Sequence, residues 1–281
     1  MNKNSKNIIL ISTGNFQEYI LDNIKQLLLL KLNIHIIIDK TFFDYVKHYE
    51  SHITIIFTES LNINYFDKNT KLISKFRNNF LNNCSKRLFL LYEYMKKENI
   101  INVIHLENDV LLYNNMDYNF QKKIYITMDS KNRCIPGIVY IPNYTLLEIL
   151  IKKYNFEKND MINMALFYHS EKENNVITTF PIIDNTIETN IYNQNFQEFN
   201  SIFDGASIGQ YLGGVDPRNI DGDTRGFVNE TCEIKYNNYI FKWIKKDKYY
   251  IPHIEINHNL IPINNLHIHS KHLKNFNPFQ I

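Results

Sequence analysis

Ile8-Ile9-Leu10-Ile11-Ser12-Thr13-Gly14, followed after a helical stretch by Ile34-His35-Ile36-Ile37-Ile38-Asp39, decides the fold. Ile8 to Ile11 is a short apolar run bounded by turn-forming residues, which reads as a buried strand. Ser12-Thr13-Gly14 reads as a turn. Asn15 is a helix-capping residue type, and Glu18 lies three positions on, the spacing of a capping box. Phe16, Ile20, Ile24, Leu27 and Leu28 then recur at helical spacing. Ile34 to Ile38 reads as a second strand, ending at Asp39. A strand, a helix and another apolar strand imply parallel pairing through a right-handed crossover.

Working outward, Leu88, Leu91, Tyr92 and Met95 predict a helix from about Ser85 to Glu98, with Ser85 as its cap. A strand over Val103 to Leu106 follows. Ile124 to Met128 and Gly137 to Ile141 are further strand candidates, and helices are expected over Leu146 to Tyr154 and Asp160 to His169. No internal repeat and no Pro/Gly/Ser linker divides the chain. The expectation is an α/β fold in one domain, residues 1–281, built on a mixed, mostly parallel sheet flanked by helices.

Composition narrows the function. Hydrophobic residues at 44% and charged residues at 21% are ordinary globular values, so the body of the chain is expected to be ordered. Net charge is +2 without a long Lys/Arg run, which argues against a nucleic-acid partner. Lys245, Lys246 and Lys248 read as a solvated face. Cys84, Cys134 and Cys232 are odd in number and far apart, with no C-x-x-C, so neither a disulfide framework nor a cysteine zinc site is expected. Ile8 to Ile11 is too short for a signal core, and no run approaches the ~18 apolar residues of a transmembrane segment. A cytoplasmic location is expected. Of eight glycines, Gly205, Gly209, Gly213, Gly214, Gly222 and Gly226 crowd one segment. Glycine marks positive φ or close backbone approach, so Phe203 to Phe227 is expected to be a structured functional loop.

The strongest local signal is His105-Leu106-Glu107-Asn108-Asp109-Val110-Leu111-Leu112-Tyr113. Two carboxylates one residue apart, at the end of an apolar strand, can lean toward one face and share Mn²⁺ or Mg²⁺. Capping of the next element is the alternative. Thr13, Asp39 and the acidic pair all fall at carboxyl ends of strands, where open α/β sheets bind ligands. The second signal is Leu266-His267-Ile268-His269-Ser270-Lys271-His272. Strand alternation puts His267 and His269 on one side. Imidazole adds affinity for Mn²⁺, and Lys271 can meet phosphate as a point charge. An H-x-H alone is weak, since histidines are often merely hydrogen-bonded. Together, an acidic pair, a distant histidine and a lysine match the needs of diphosphate departure.

Ser85-Lys86-Arg87, Glu107-Asn108-Asp109, the run from Phe203 to Gly214 and His267-Ile268-His269-Ser270-Lys271 together resemble GT-A (Rossmann-like) glycosyltransferases of large DNA viruses, the chlorella-virus type, and of some bacteria. The resemblance spans Ile8 to Lys271. It implies a nucleotide-binding half over about residues 1–113, and an acceptor-binding half with a C-terminal metal and phosphate segment over about 114–281. It implies a nucleotide-sugar donor, a UDP-sugar favoured, a Mn²⁺ or Mg²⁺ ion, hexosyl or deoxyhexosyl transfer to a glycan or glycoconjugate, and, for a viral enzyme, the host cytoplasm. Asp109 would be the direct metal ligand. Glu107 stands where the family's Asp-x-Asp motif has Asp and would reach the ribose or a metal-bound water. His269 is the preferred C-terminal ligand and His267 the alternative. Thr13, Asn15 and Asp39 would contact the nucleoside, with Arg87 in the same region. Asp204 and Asp216 are the candidates for the general base. A sugar nucleotidyltransferase is the alternative reading, disfavoured because only Gly14 follows the first strand. A non-catalytic carbohydrate-binding protein on the same fold is another.

Overall fold

β1 (Asn7–Ser12), α1 (Ile20–Leu29) and β2 (Asn33–Ile38) make the expected β-α-β unit in the computed structural model, which describes residues 6–72, 79–186, 188, 190–216 and 232–279. The chain continues through α2 (Phe43–Val46), β3 (Thr54–Phe57), α3 (Asn64–Asn69), α4 (Phe80–Glu98), β4 (Val103–Leu106), β5 (Val110–Leu112), β6 (Ile124–Ser130), β7 (Arg133–Ile141), α5 (Tyr144–Lys152), α6 (Asp160–Glu171) and β8 (Ile177–Thr179). It then forms α7 (Phe196–Phe199), α8 (Ser207–Gly213), β9 (Ile240–Lys246), β10 (Tyr249–Ile256), β11 (Asn259–Pro262) and β12 (Asn265–His267).

Seven strands make the central sheet, in the order β3-β2-β1-β4-β7-β6-β8. β3, β2, β1 and β4 are parallel neighbours, as are β6 and β8, while β7 runs antiparallel to β4 and β6. The sheet is therefore mixed and mostly parallel. Its apolar runs are continuous because both faces are covered. Ile8 and Leu10 of β1 pack with Ile20, Ile24 and Leu27 of α1, whereas Ile9 and Ile11 pack with residues of α4, α5 and α6 on the other face. Each such fully buried Ile or Leu contributes about 1.5–3 kcal/mol. β9, β10 and β11 form a separate antiparallel sheet, and β12 pairs with β5. A third core joins Ile254 and Ile261 of that sheet to Ile208, Leu266 and Ile268. Among the described residues, no helix is long and apolar enough to cross a membrane.

Three sequence expectations need correction. α1 begins at Ile20, not at Asn15, and no side chain caps it. The intervening residues instead form a turn, with Gly14 at φ +80° and the Gln17 side chain bonded to Asn108. α4 begins at Phe80, one and a half turns before Ser85, which is fully buried inside the helix. Phe80, Leu81 and Cys84 carry its apolar stripe forward to a cleft. The glycine-rich segment is not a loop throughout, since residues 207–213 are α8. Gly222, Gly226 and everything else expected of that segment beyond residue 216 lie outside the described residues.

Gly209 shows why α8 is rich in glycine. A Cβ there would sit 1.9 Å from the carbonyl oxygen of His267, because α8 is pressed against β12. Overpacking of this kind costs about 2–3 kcal/mol, and Gly209→Ala is expected to lower the melting temperature by about 3–5 °C. An unchanged thermal melt would mean that α8 backs away from β12 freely.

Candidate functional site

The site forms where the strand order turns back on itself. β2 and β4 lie on opposite sides of β1, and at such a switch point a crevice opens beyond the carboxyl ends of the strands. Thr13 after β1, Asp39 after β2 and Glu107 after β4 share this edge. β6 points the same way as β4, since both are antiparallel to β7, so Asp129 joins them.

Residues 107–110 turn tightly between β4 and β5. Glu107 N donates to Gly137 O at 2.9 Å, and Val110 N donates to Glu107 O at 3.0 Å. Asn108, between the two carboxylates, faces away from them. Its Nδ2 donates to Ile11 O at 2.9 Å and to Gln17 Oε1 at 2.7 Å. From α1, Asn23 Nδ2 donates to Asn108 O at 3.1 Å and Val110 O at 3.0 Å. The turn is thus fixed from the strand and the helix of the first unit, and both carboxylates are left facing the cleft.

The last strand supplies a histidine. β12 runs antiparallel to β5 with His267 opposite Val110, and Ile268 N donates to Asp109 O at 2.8 Å. His267 Nε2 lies 3.2 Å from Asp109 Oδ2 and 3.3 Å from Glu107 Oε2. One ligand atom each from Glu107, Asp109 and His267 falls within 4.8 Å of the others. Carboxylate oxygens with one imidazole nitrogen suit a divalent cation such as Mn²⁺ or Mg²⁺. His267 Nδ1 is 2.7 Å from Gly205 O. A carbonyl only accepts, so Nδ1 carries a proton and Nε2 is the atom presented to the carboxylates. Metal-ligating histidines are ordinarily oriented in this way. The donor set therefore fits a divalent ion.

Burial disfavours the Asp109 carboxylate, yet His267 and Lys271 hold it well below the usual carboxylate range. Burial likewise opposes a charged His267, but Asp109 and Glu107 raise it to about 9. Lys271 Nζ pairs directly with Asp109 Oδ2. Cationic protein groups thus gather around Asp109, where a metal ion would be held. Arg87, from α4, pairs with Glu107 Oε1, and its Nη2 is 3.8 Å from Asp160 Oδ2. Burial pushes the Asp160 carboxyl up to about 6, with Arg87 acting against it.

Not every residue expected from the sequence stands where it was expected. His267, the alternative ligand, is the histidine placed 3.2–3.3 Å from the two carboxylates. β12 ends at His267, so strand alternation does not carry on to His269. His269 lines the same cleft, its ring 5.3 Å from that of His267. Burial, His267 and Lys271 push its pKa down to about 3, which keeps it neutral. Thr13 and Asn15 line a cavity of about 240 Å³ beneath the first turn. Asp39 lines neither this cavity nor the larger one beside it. It accepts from Thr13 Oγ1 (2.9 Å), Thr58 Oγ1 (2.7 Å) and Gly14 N (2.7 Å), and so holds the turn in shape. Arg87 reaches both cavities, but its guanidinium is engaged by Glu107. Asp216 is 1% exposed and lines the larger cavity, of about 290 Å³. Asp204, also buried, lines neither cavity, and among the described residues its carboxylate accepts from three backbone N–H groups.

Three side chains in the larger cavity, Gln17, Asp129 and Arg133, carry no assignment from the sequence. Arg133 Nε donates to Asp129 Oδ1 at 3.0 Å and Oδ2 at 2.9 Å across the β6–β7 hairpin. The strand-end rule that marked Asp39 would also have marked Asp129. Gln17, shared by both cavities, had no signal, because its position depends on the late start of α1.

No protein-family model matches the sequence, and no curated protein matches it. Among solved structures, the glycosyltransferase GlyE of Streptococcus pneumoniae TIGR4 is similar over 95% of this chain and 55% of its own, with 11% identity and a TM-score of 0.44. This chain thus spans about half the length of GlyE. The PaToxG glycosyltransferase is similar over 59% of this chain and 69% of its own, with 14% identity and a TM-score of 0.35. A cytidylyltransferase of Leptospira borgpetersenii serovar Hardjo-bovis is similar over 63% and 75%, with 11% identity and a TM-score of 0.37. At these values the likenesses carry no argument about activity.

Proposed function

We propose that this chain is a metal-dependent glycosyltransferase. In this reading it moves a hexosyl or deoxyhexosyl unit from a nucleoside-diphosphate sugar, a UDP-sugar in first preference, to a hydroxyl of a glycan or glycoconjugate. One observation carries the reading: Glu107, Asp109, His267 and Lys271 converge at a cleft that continues into a second cavity beneath the first β-α turn. The smaller cavity is lined by Phe16, whose ring stacks on Tyr45, and by the amides of Asn15 and Asn83, an aromatic group and hydrogen-bonding partners for a nucleoside. The larger, where the carboxylates lie, takes diphosphate and sugar.

Asp109, Glu107 and His267 would hold Mn²⁺ or Mg²⁺. The ion, when bound, neutralises charge that grows on the departing diphosphate. Lys271 adds a fixed cation at the same place, in a site largely shielded from water. Arg87 orients Glu107, leaving Oε2 toward the cleft. Thr13 and Asn15 meet the nucleoside, and Asp39 keeps their turn in place. Asp216, which lines the larger cavity, takes the acceptor's proton in this reading. The whole chain acts as one catalytic unit, its first 113 residues serving the nucleotide and the remainder the acceptor.

Calorimetry with UDP and GDP, with and without Mn²⁺, tests the reading. UDP is expected to bind in the presence of Mn²⁺ and to lose affinity by about 100-fold or more, about 2.8 kcal/mol, when EDTA removes the ion. If neither diphosphate binds under either condition, the reading is wrong.

A further inference from the structure

We infer that Asp204 is a positioning residue that acts through His267, and does not exchange a proton with substrate. The inference rests on reading Glu107, Asp109 and His267 as a metal site. Asp204 is 1% exposed and lies behind the cleft, not in it. Its Oδ2 accepts from His267 N at 2.9 Å and from Gly209 N at 2.8 Å, and its Oδ1 accepts from Ile208 N at 3.0 Å. Of the roughly four acceptor positions on a carboxylate, three are filled by backbone donors. Those donors are buried, and freeing them would leave main-chain N–H groups unpaired.

The same short segment grips His267 a second time. Gly205 O meets His267 Nδ1 at 2.7 Å, so residues 204–205 fix both the main chain and the ring of the histidine. Asn265 completes the frame. Its Oδ1 accepts from Asp204 N at 3.2 Å, and its Nδ2 donates to Asp204 O at 2.8 Å. At the same edge of the ring, a Cβ at Gly137 would come within 2.8 Å of His267 Nδ1 and 3.1 Å of Gly205 O, so the Nδ1 edge and its acceptor are packed against backbone. Asp204 also holds the first turn of α8, whose Ser207 and Gln210 line the larger cavity. One buried carboxylate therefore sets the position of a metal-ligand candidate and of a cleft wall together.

The test uses the full chain, Mn²⁺ alone as probe, and Asp204→Asn. The amide keeps the shape of the carboxylate but turns an N–H toward a backbone N–H on one side. Mn²⁺ affinity is read from the free-ion electron paramagnetic resonance signal, and histidine ligation from ¹⁴N modulation of the spin echo of bound Mn²⁺. Wild type is expected to bind Mn²⁺ with ¹⁴N modulation that His267→Ala removes. Asp204→Asn is expected to weaken Mn²⁺ about 10-fold or more, as loss of an outer partner of a ligand does, and to reduce the ¹⁴N modulation. In the His267→Ala background it is expected to weaken Mn²⁺ no further. If Asp204→Asn does not fold, Asn265→Ala is read in the same way, with a smaller effect in the same direction. Folded Asp204→Asn with wild-type affinity and modulation overturns the inference, and loss of sugar transfer alongside them would reinstate Asp204 as the base. Wild type that binds no Mn²⁺, or binds it without ¹⁴N modulation, instead overturns the metal site as read.

Discussion

Asp109→Asn is expected to abolish measurable Mn²⁺ binding and to slow sugar transfer by about 10³-fold, equivalent to losing about 4 kcal/mol of transition-state stabilisation. The reasons lie in the geometry. Asp109 Oδ2 is the oxygen that meets both His267 Nε2 and Lys271 Nζ, and its side chain is nearly buried. An amide cannot supply the charge that a divalent ion needs. It also takes away the carboxylate with which Lys271 pairs, so Lys271 is expected to swing outward. Sugar release from a panel of nucleotide sugars, measured with the Mn²⁺ titration on the same preparation, checks both halves. Activity within tenfold of wild type would remove Asp109 from the chemistry.

Arg87→Met should act on stability as strongly as Asp109→Asn acts on rate. Arg87 stands between Glu107 and Asp160, and all three side chains are largely shielded from solvent. Removing Arg87 leaves Asp160 facing Glu107 in a site where burial already pushes Asp160 up to about 6. Breaking a buried ion pair by taking away one partner costs about 3–5 kcal/mol. Urea unfolding is expected to show a loss of that size, and Mn²⁺ affinity is expected to fall as Glu107 loses its anchor. A loss under about 1 kcal/mol, the range of exposed ion pairs, would mean that water reaches these carboxylates.

The first β-α-β unit was legible in the sequence because burial on both faces writes it as unbroken apolar runs, Ile8 to Ile11 and Ile34 to Ile38. Val103 to Leu106 was legible for the same reason, and the acidic pair after it was marked by its spacing and its place at a strand end. The beginnings of α1 and α4 were not legible. Gln17 is drawn out of any helix by Asn108, a partner 91 residues away, and Phe80 lengthens α4 because a cleft needs its wall. The order of the two histidines depended on where β12 stops, which alternation alone does not say. Asp204 showed the same surface chemistry as a base, and only its backbone partners reveal another use. Asp129 carried the same strand-end signal as Asp39, whereas Arg133 carries none until the hairpin folds it against Asp129.

The pairing of β12 with β5 also carries a consequence for biosynthesis. His267 and Asp109 are 158 residues apart in the chain. During translation the carboxylates at residues 107 and 109 emerge long before their imidazole partner exists, so the nascent protein holds an acidic half-site and no complete one. Pairing across such a separation carries a loop-closure cost that nearby contacts do not, and it tends to come late. An ion that needs all three groups would then bind only the finished chain and would stabilise it by mass action over every earlier form. Metal in the growth medium would act as a latch on maturation, and starvation for it would lower the yield of folded protein before it lowered the turnover of any molecule already made.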